Sequence, residues 1–217
     1  DAVMNYPFTN AVLDFFAHRK IDAVQFSHRI STLIATYPQQ VHEVAFNLLD
    51  SHDTPRLLTL MHGDKRRMKL AALFQLTFLG TPCIYYGDEI GLDGGADPDC
   101  RKCMEWEPDR QDRDLFDFYR TAISLRHRHA ALRTGSFRFL QADSDSGLIA
   151  YERADEQSRF LVALNASDQA ATLQLPADDM AGAELLYSSS AADGTPASGT
   201  AGTIALEPYA YRIWKKG

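Results

Sequence analysis

Phe46-Asn47-Leu48-Leu49-Asp50-Ser51-His52-Asp53-Thr54-Pro55-Arg56 is the stretch whose reading decides this chain. It opens as an apolar run of strand length and closes on a histidine, a carboxylate and an arginine. Thr54 and Pro55 then carry the signals of a helix start: a hydroxyl that accepts from a free amide, and a ring whose missing N–H is not needed in a first turn. A strand that delivers polar side chains at its C-terminal end, directly before a helix, is how an α/β barrel presents an active site. The same residues also permit a plainer reading, in which Asp53 or Thr54 merely caps the helix and His52 lies on the surface.

Upstream, residues 1–8 read as a short strand stopped by Pro7, and Thr9 or Asn10 as the cap of a helix Ala11–His18 with Val12, Phe15 and Phe16 on one face. From Asp22, the apolar Ala23, Phe26, Ile30, Leu33 and Ile34 recur at helical intervals until Pro38. Downstream, Pro55–His62 reads as a short helix, and Asp64 caps a longer one through Leu79 that Gly80 closes. Lys65, Arg66, Arg67 and Lys69 on that helix read as a solvated face, with an anion site as the alternative. Thr81-Pro82 leads into a strand Cys83–Tyr86. The Gly-, Pro- and charge-rich stretch 91–114 reads as a long functional loop, and Leu115, Phe118, Tyr119, Ala122 and Leu125 restore a helix. Buried-type strand, helix and strand in alternation predict parallel α/β architecture for residues 1–130.

The composition changes at about residue 131. Phe137–Leu140, Leu148–Arg153, Phe160–Asn165, Thr172–Leu175, Glu184–Tyr187, Thr203–Leu206 and Ala210–Trp214 are short β-type runs separated by turn-rich pieces, the pattern of an antiparallel β-sandwich over residues 131–217. The Ser/Ala/Gly-rich piece 188–202 reads as a flexible loop. Tyr209, Tyr211 and Trp214 read as core residues of alternating strands, with starch binding as the alternative.

At 217 residues, with 45% hydrophobic and 24% charged side chains, the chain has the material for a sizeable core. A net charge of −7 without a basic cluster argues against a nucleic-acid partner. No run reaches the ~18 apolar residues that span a bilayer. The chain begins at Asp1 and runs straight into strand-like residues, so it reads as a segment of a longer polypeptide and leaves localisation open. Three cysteines, Cys83, Cys100 and Cys103, make no disulfide framework, and Cys100-x-x-Cys103 lacks the second pair of a metal site.

Asp50-Ser51-His52-Asp53-Thr54-Pro55-Arg56 resembles the fourth sequence region of the α-amylase family of glycoside hydrolases, in the form of its neopullulanase, cyclomaltodextrinase and maltogenic amylase group. Tyr85-Tyr86-Gly87-Asp88-Glu89-Ile90-Gly91 is similar to the family's eighth-strand segment and Val3-Met4-Asn5-Tyr6-Pro7-Phe8 to its sixth. Asp97-Pro98-Asp99-Cys100-Arg101 is similar to a substrate loop of the neopullulanase group. The resemblance implies the last three βα units of a (β/α)8 barrel followed by a β-sandwich, since a whole barrel needs eight strands and roughly 250 residues.

Retaining cleavage of a glycosidic bond needs a nucleophile and a proton donor, two carboxyl groups about 5–5.5 Å apart. In the family these lie on the fourth and fifth strands, which the resemblance leaves outside this chain. It assigns to Asp53 the third carboxylate, the transition-state stabiliser, and to His52 a hydrogen bond to the same sugar. Arg56 either contacts substrate or braces a nearby carboxylate. Asp97 and Arg101 correspond to residues of non-reducing-side subsites, with a surface salt bridge as the alternative. Asp88 and Glu89 read as stabilisers of the barrel rim. Tyr6, Tyr85 and Tyr86 read as buried near strands, with sugar stacking as the alternative.

The expected function, as the resemblance implies, is part of an α-glucan or cyclodextrin hydrolase acting on α-1,4 links with some α-1,6 cleavage, inactive as this chain alone, with no cofactor and no residue of this chain assigned to a metal. An open barrel edge predicts homo-oligomers or pairing with the missing barrel half. The competing readings are a non-catalytic carbohydrate-binding or regulatory module and an α-glucosidase fragment.

Overall fold

The structure, a computed structural model, describes residues 3–189 and 202–217. Most of the piece read as a flexible loop, residues 190–201, therefore lies outside the described residues. In the described part the chain forms a short parallel β layer covered by helices, and then an antiparallel sheet docked on those helices.

Strands β1 (Phe46–Leu48) and β2 (Thr81–Cys83) pair in parallel, Phe46 against Thr81 and Leu48 against Cys83. Met4 joins them only through a single parallel bridge to Phe46. Among its described residues, 3–8, the expected strand is thus one bridge long, because Asn5 starts a helix: its Oδ1 accepts from the Phe8 amide at 3.2 Å and opens α1 (Tyr6–Val12). Pro7 does not stop the chain there. It sits in the first turn, where no N–H is required. Thr9, expected as a cap, instead donates to the Leu48 carbonyl at 2.7 Å and ties α1 to β1. A π-helical turn, Leu13–Ala17, extends α1.

Helix α2 (Ala23–Thr36) starts in a capping box between Asp22 and Gln25, as its sequence demands. Short helices α3 (Gln39–Val44) and α4 (Leu57–Leu60) flank β1. Asp64 caps α5 (Lys65–Thr77), which is buried along nearly its whole length from Arg67 onward. The solvated-face reading of its basic run fails for Arg67. That side chain is buried and donates to the Phe16 and Ala17 carbonyls, satisfying the end of the π-helical turn. Lys65 and Lys69 pair with Asp112 and Asp114 near the start of α6 (Arg113–Arg128).

Helix α7 (Ala130–Thr134) leads into β3 (Ser136–Asp143), followed by β4 (Leu148–Ala154), β5 (Arg159–Asn165) and β6 (Ala171–Gln174). After a short helix α8 (Ala177–Met180) come β7 (Glu184–Ser188), β8 (Thr203–Leu206) and β9 (Tyr211–Lys216). Five strands form an antiparallel sheet in the order β3-β4-β5-β9-β7, and β6 pairs with β8 in a second, two-stranded sheet. Leu148, Ala150, Leu161, Leu173, Ile204 and Trp214 fill the space between the two sheets. Tyr151, Phe160, Val162 and Ile213 on the other face of the large sheet join the helical core around Phe74 and Phe78. Both faces are covered, so β4 reads as a near-continuous buried run rather than an alternation. Tyr209, Tyr211 and Trp214 are buried, as core packing requires. Among the described residues, no helix is long and apolar enough to cross a membrane.

Candidate active-site segment

The C-terminal end of β1 turns tightly. The Ser51 amide donates to Thr54 Oγ1 at 2.9 Å and the Asp53 amide to Ser51 Oγ at 3.2 Å, so the small side chains hold the turn and the larger ones project from it. Arg56 stands at the N-cap position of α4 without a side-chain bond, and the first amide is capped from a distance by Asp50, whose Oδ2 accepts from Leu57 at 2.7 Å. Neither Asp53 nor Thr54 fills that role. His52 and Asp53 lie side by side, Nε2 to Oδ1 3.3 Å, with 61% and 65% of their side chains exposed. Among the described residues Asp53 meets only this histidine, so a carboxylate and an imidazole stand together in water at a strand end.

Arg56 is the opposite case. Its side chain has no exposed surface. Nε donates to the Cys100 carbonyl at 2.9 Å, Nη1 donates to the Tyr86 carbonyl and lies 3.5 Å from Asp88 Oδ1. The Tyr85 and Tyr86 rings lie 4.2 and 4.6 Å from its guanidinium carbon and 4.7 Å from each other, an aromatic pair that the cation packs against. A side chain with no exposed atom has nothing to offer a sugar, so the substrate-contact reading gives way to the bracing one. The same contact draws Tyr85 and Tyr86 into holding Arg56, although Tyr86 and Tyr6 are both exposed rather than buried.

These bonds fasten the loop after β2 onto the end of β1. The Arg56 amide donates to Gly94 O at 2.9 Å, the Gly94 amide to Thr59 Oγ1 at 2.8 Å, and Cys100 Sγ to His52 O at 3.2 Å. Position 94 must be glycine for this approach, since a Cβ there would stand 2.5 Å from Asp99 O and 2.9 Å from Cys100 Cα. Asp97 and Arg101, on the same loop, form an exposed ion pair at 2.5 Å. The three cysteines are free, and among the described residues no three His, Cys, Asp or Glu side chains gather as a metal site would require.

Asp50 and Asp88 are each almost fully buried, 3% and 2% exposed, and their carboxyl groups are close enough for each to shift the other. Burial raises the Asp50 carboxyl above its ordinary value, against the pull of the Asp88 hydrogen bond, the Leu57 amide and the Arg56 charge. Burial, then the Asp50 charge and hydrogen bond, push Asp88 well above the ordinary range, with Arg56 opposing. The sequence reading placed Asp88 on the rim and assigned Asp50 no task. A signal was available: two acidic residues just past the ends of adjacent parallel strands converge on one layer.

The whole of this arrangement falls within residues 1–135, which match the family model described as alpha amylase, catalytic domain, while residues 137–213 match that of the maltogenic amylase C-terminal domain. A cyclomaltodextrinase of Bacillus sp. is 63% identical over 174 residues, 80% of this chain and 31% of the relative. Neopullulanase 2 of Thermoactinomyces vulgaris is 46% identical over 178 residues, 81% of this chain and 30% of the relative. A solved cyclomaltodextrinase structure superposes with a TM-score of 0.87 at 51% identity, covering 98% of this chain and 36% of that one. The chain therefore spans about a third of the length of the curated relatives it matches. With a catalytic-domain match over more than half its length, the chain belongs to the alpha-amylase family.

Proposed function

We propose that this chain is part of an α-glucan hydrolase of the cyclomaltodextrinase and neopullulanase kind, cleaving α-1,4 and to some extent α-1,6 glucosidic bonds with retention. The observation that carries this reading is the fastening of the Asp97–Arg101 loop against the turn that exposes His52 and Asp53. Asp53 takes the sugar hydroxyls next to the reacting carbon, and His52 donates to the same ring, a bond that strengthens as positive charge develops there. Asp97 and Arg101 trade their mutual ion pair for hydroxyls of the next sugars. The nucleophile and proton donor come from strands outside this chain, so the isolated chain turns over no maltodextrin.

The test uses the longer protein of which we take this chain to be a part. Asp53→Asn is expected to lower kcat/KM on cyclodextrin and maltodextrin by about 100- to 1,000-fold, the loss seen when one preorganised transition-state contact is removed. Activity unchanged in the folded variant would remove Asp53 from the reaction and favour a carbohydrate-binding module.

The same reading implies association. Among the described residues a single bridge flanks β1 on the Met4 side, next to a mainly apolar groove whose lining includes Val3, Met4, Pro7, Leu33, Tyr37 and Val41. An unpaired parallel edge beside such a groove recruits another strand. Sedimentation of the isolated chain at micromolar concentration is expected to show dimers or larger species, and a single monomeric boundary would contradict this.

A further inference from the structure

Asp50, Asp88 and Arg56 place two carboxyls and one guanidinium in a site closed to water. If all three were charged, the site would hold a net negative charge with two anions in contact. Two carboxylates that share a site do not both ionise. A single proton between Asp50 and Asp88 makes the trio neutral and turns their contact into a hydrogen bond.

The groups facing the trio do not alter that count. Glu89, next to Asp88, adds a further negative influence, and Tyr119 from α6, Tyr85 and Cys83 face it as neutral acids that the carboxyls or burial hold up. Among the described residues Arg56 is the one cation in contact; its Nε and Nη1 hold the Cys100 and Tyr86 carbonyls, while its Nη2 and Asp88 Oδ1 are buried without a hydrogen-bond partner.

We propose that Asp50, Asp88 and Arg56 form a proton-dependent clip that positions the loop 94–102 against the strand end carrying His52 and Asp53. The three are positioning residues, none of them touching substrate, and the purpose of the clip rests on the functional reading above. Asp50 anchors the trio to α4 through the Leu57 amide, Asp88 anchors it to the segment after β2, and Arg56 carries it to the loop. Loss of the shared proton sets two buried anions against each other. The segments able to relieve this are those without strand pairing, the turn Asp88–Ile90 and the loop that Arg56 holds.

The sign follows from both carboxyls being raised. The stability carried by the shared proton is complete below the ordinary carboxylate value of 3.8 and is lost as pH rises through the raised Asp88 value. The clip therefore loosens towards alkaline pH.

The test needs no activity, so its failure is distinct from failure of the hydrolase reading. Infrared spectra of this chain at neutral pH are expected to show the carbonyl stretch of a protonated carboxyl, absent in Asp88→Asn. As pH rises and that band disappears, amides of residues 94–102, corrected for intrinsic base catalysis, are expected to exchange about tenfold faster or more. In Asp88→Asn, where an amide stands permanently for the protonated acid, that step should vanish. Asp50→Asn, whose side-chain oxygen still accepts from Leu57, is the second variant if the first does not fold. Absence of a protonated carboxyl in the wild-type chain, or the same step in a folded Asn variant, would overturn the proposal.

Discussion

Arg56→Met is expected to lower the unfolding free energy of this chain by about 3–5 kcal/mol, the usual cost of removing one partner of a buried ion pair. Methionine fills much of the same space against Tyr85 and Tyr86, so the loss is electrostatic rather than a cavity. It strips the Cys100 and Tyr86 carbonyls of their donor and leaves Asp88 without its counter-charge. Because the Asp50–Asp88 pair neutralises itself by holding a proton, the loss should be smaller in acid and grow as pH rises. Urea unfolding at a fixed protein concentration and two pH values measures this. The Arg56→Met/Asp88→Asn double variant should recover part of the loss, because the two groups are in contact and their effects do not add. A drop below ~1 kcal/mol at neutral pH would mean that the trio is already solvated.

A comparable loss is expected at the seam between the helices and the large sheet. Arg153 of β4 has no exposed surface, and it donates to Ser136 O and Gly135 O at 2.9 Å, to Leu132 O at 2.9 Å, and to Thr77 O. Arg126 of α6 lies beside it and donates to Leu76, Phe78 and Leu132 carbonyls at 3.0, 2.9 and 2.6 Å and to Gly80 O. Among the described residues neither meets a carboxylate. Burial draws Arg126 down to about 10 and Arg153 to about 9, each pressed further by a neighbouring arginine. What holds two cations there is the C-terminal end of α5, where free carbonyls and the helix dipole are both negative.

Arg153→Met leaves several of those carbonyls buried without a donor, at about 1–3 kcal/mol each, partly offset by relief of the repulsion on Arg126. The expected net loss is about 3–5 kcal/mol. It should fall on the coupling between the two layers as well as on their sum. Unfolding followed at the helices by far-ultraviolet circular dichroism and at the sheet by Trp214 fluorescence should cease to coincide in the variant. Coincident transitions with an unchanged midpoint would show that aromatic packing of Phe74, Phe78, Phe137 and Tyr151 alone joins the layers.

Much of the fold was legible because its signals are local. Asp22 with Gln25 and Asp64 before α5 mark helix starts by hydrogen bonds within a few residues, whereas α5 ends at Thr77, ahead of Gly80, whose place is set by the distant Ala45 and His42 carbonyls. Thr203–Leu206 is a strand with the expected ends, and the other six runs of the sheet lie within a few residues of theirs. The Pro7 error was itself local: it reads as a stop, yet Asn5 two residues before it caps the helical turn that contains it. Elsewhere a distant group decided. Arg67 reads as a surface charge until the end of the π-helical turn comes to lie against it.

His52, Asp53, Asp97 and Arg101 could be named as candidates from the sequence because they stand in short motifs at a strand end and in a later loop. Their surroundings could not. The sequence by itself determined the order of the elements, the parallel layer followed by the antiparallel one, and the residues that face water at the end of β1. Only the tertiary structure decided that Arg56 is buried, that Asp50 and Asp88 meet, and that Asp50 rather than Asp53 caps α4. A cap or an amphipathic face is settled within a turn or two of chain, whereas the ionisation and role of a buried side chain depend on which charges and carbonyls the fold brings from residues far away in sequence.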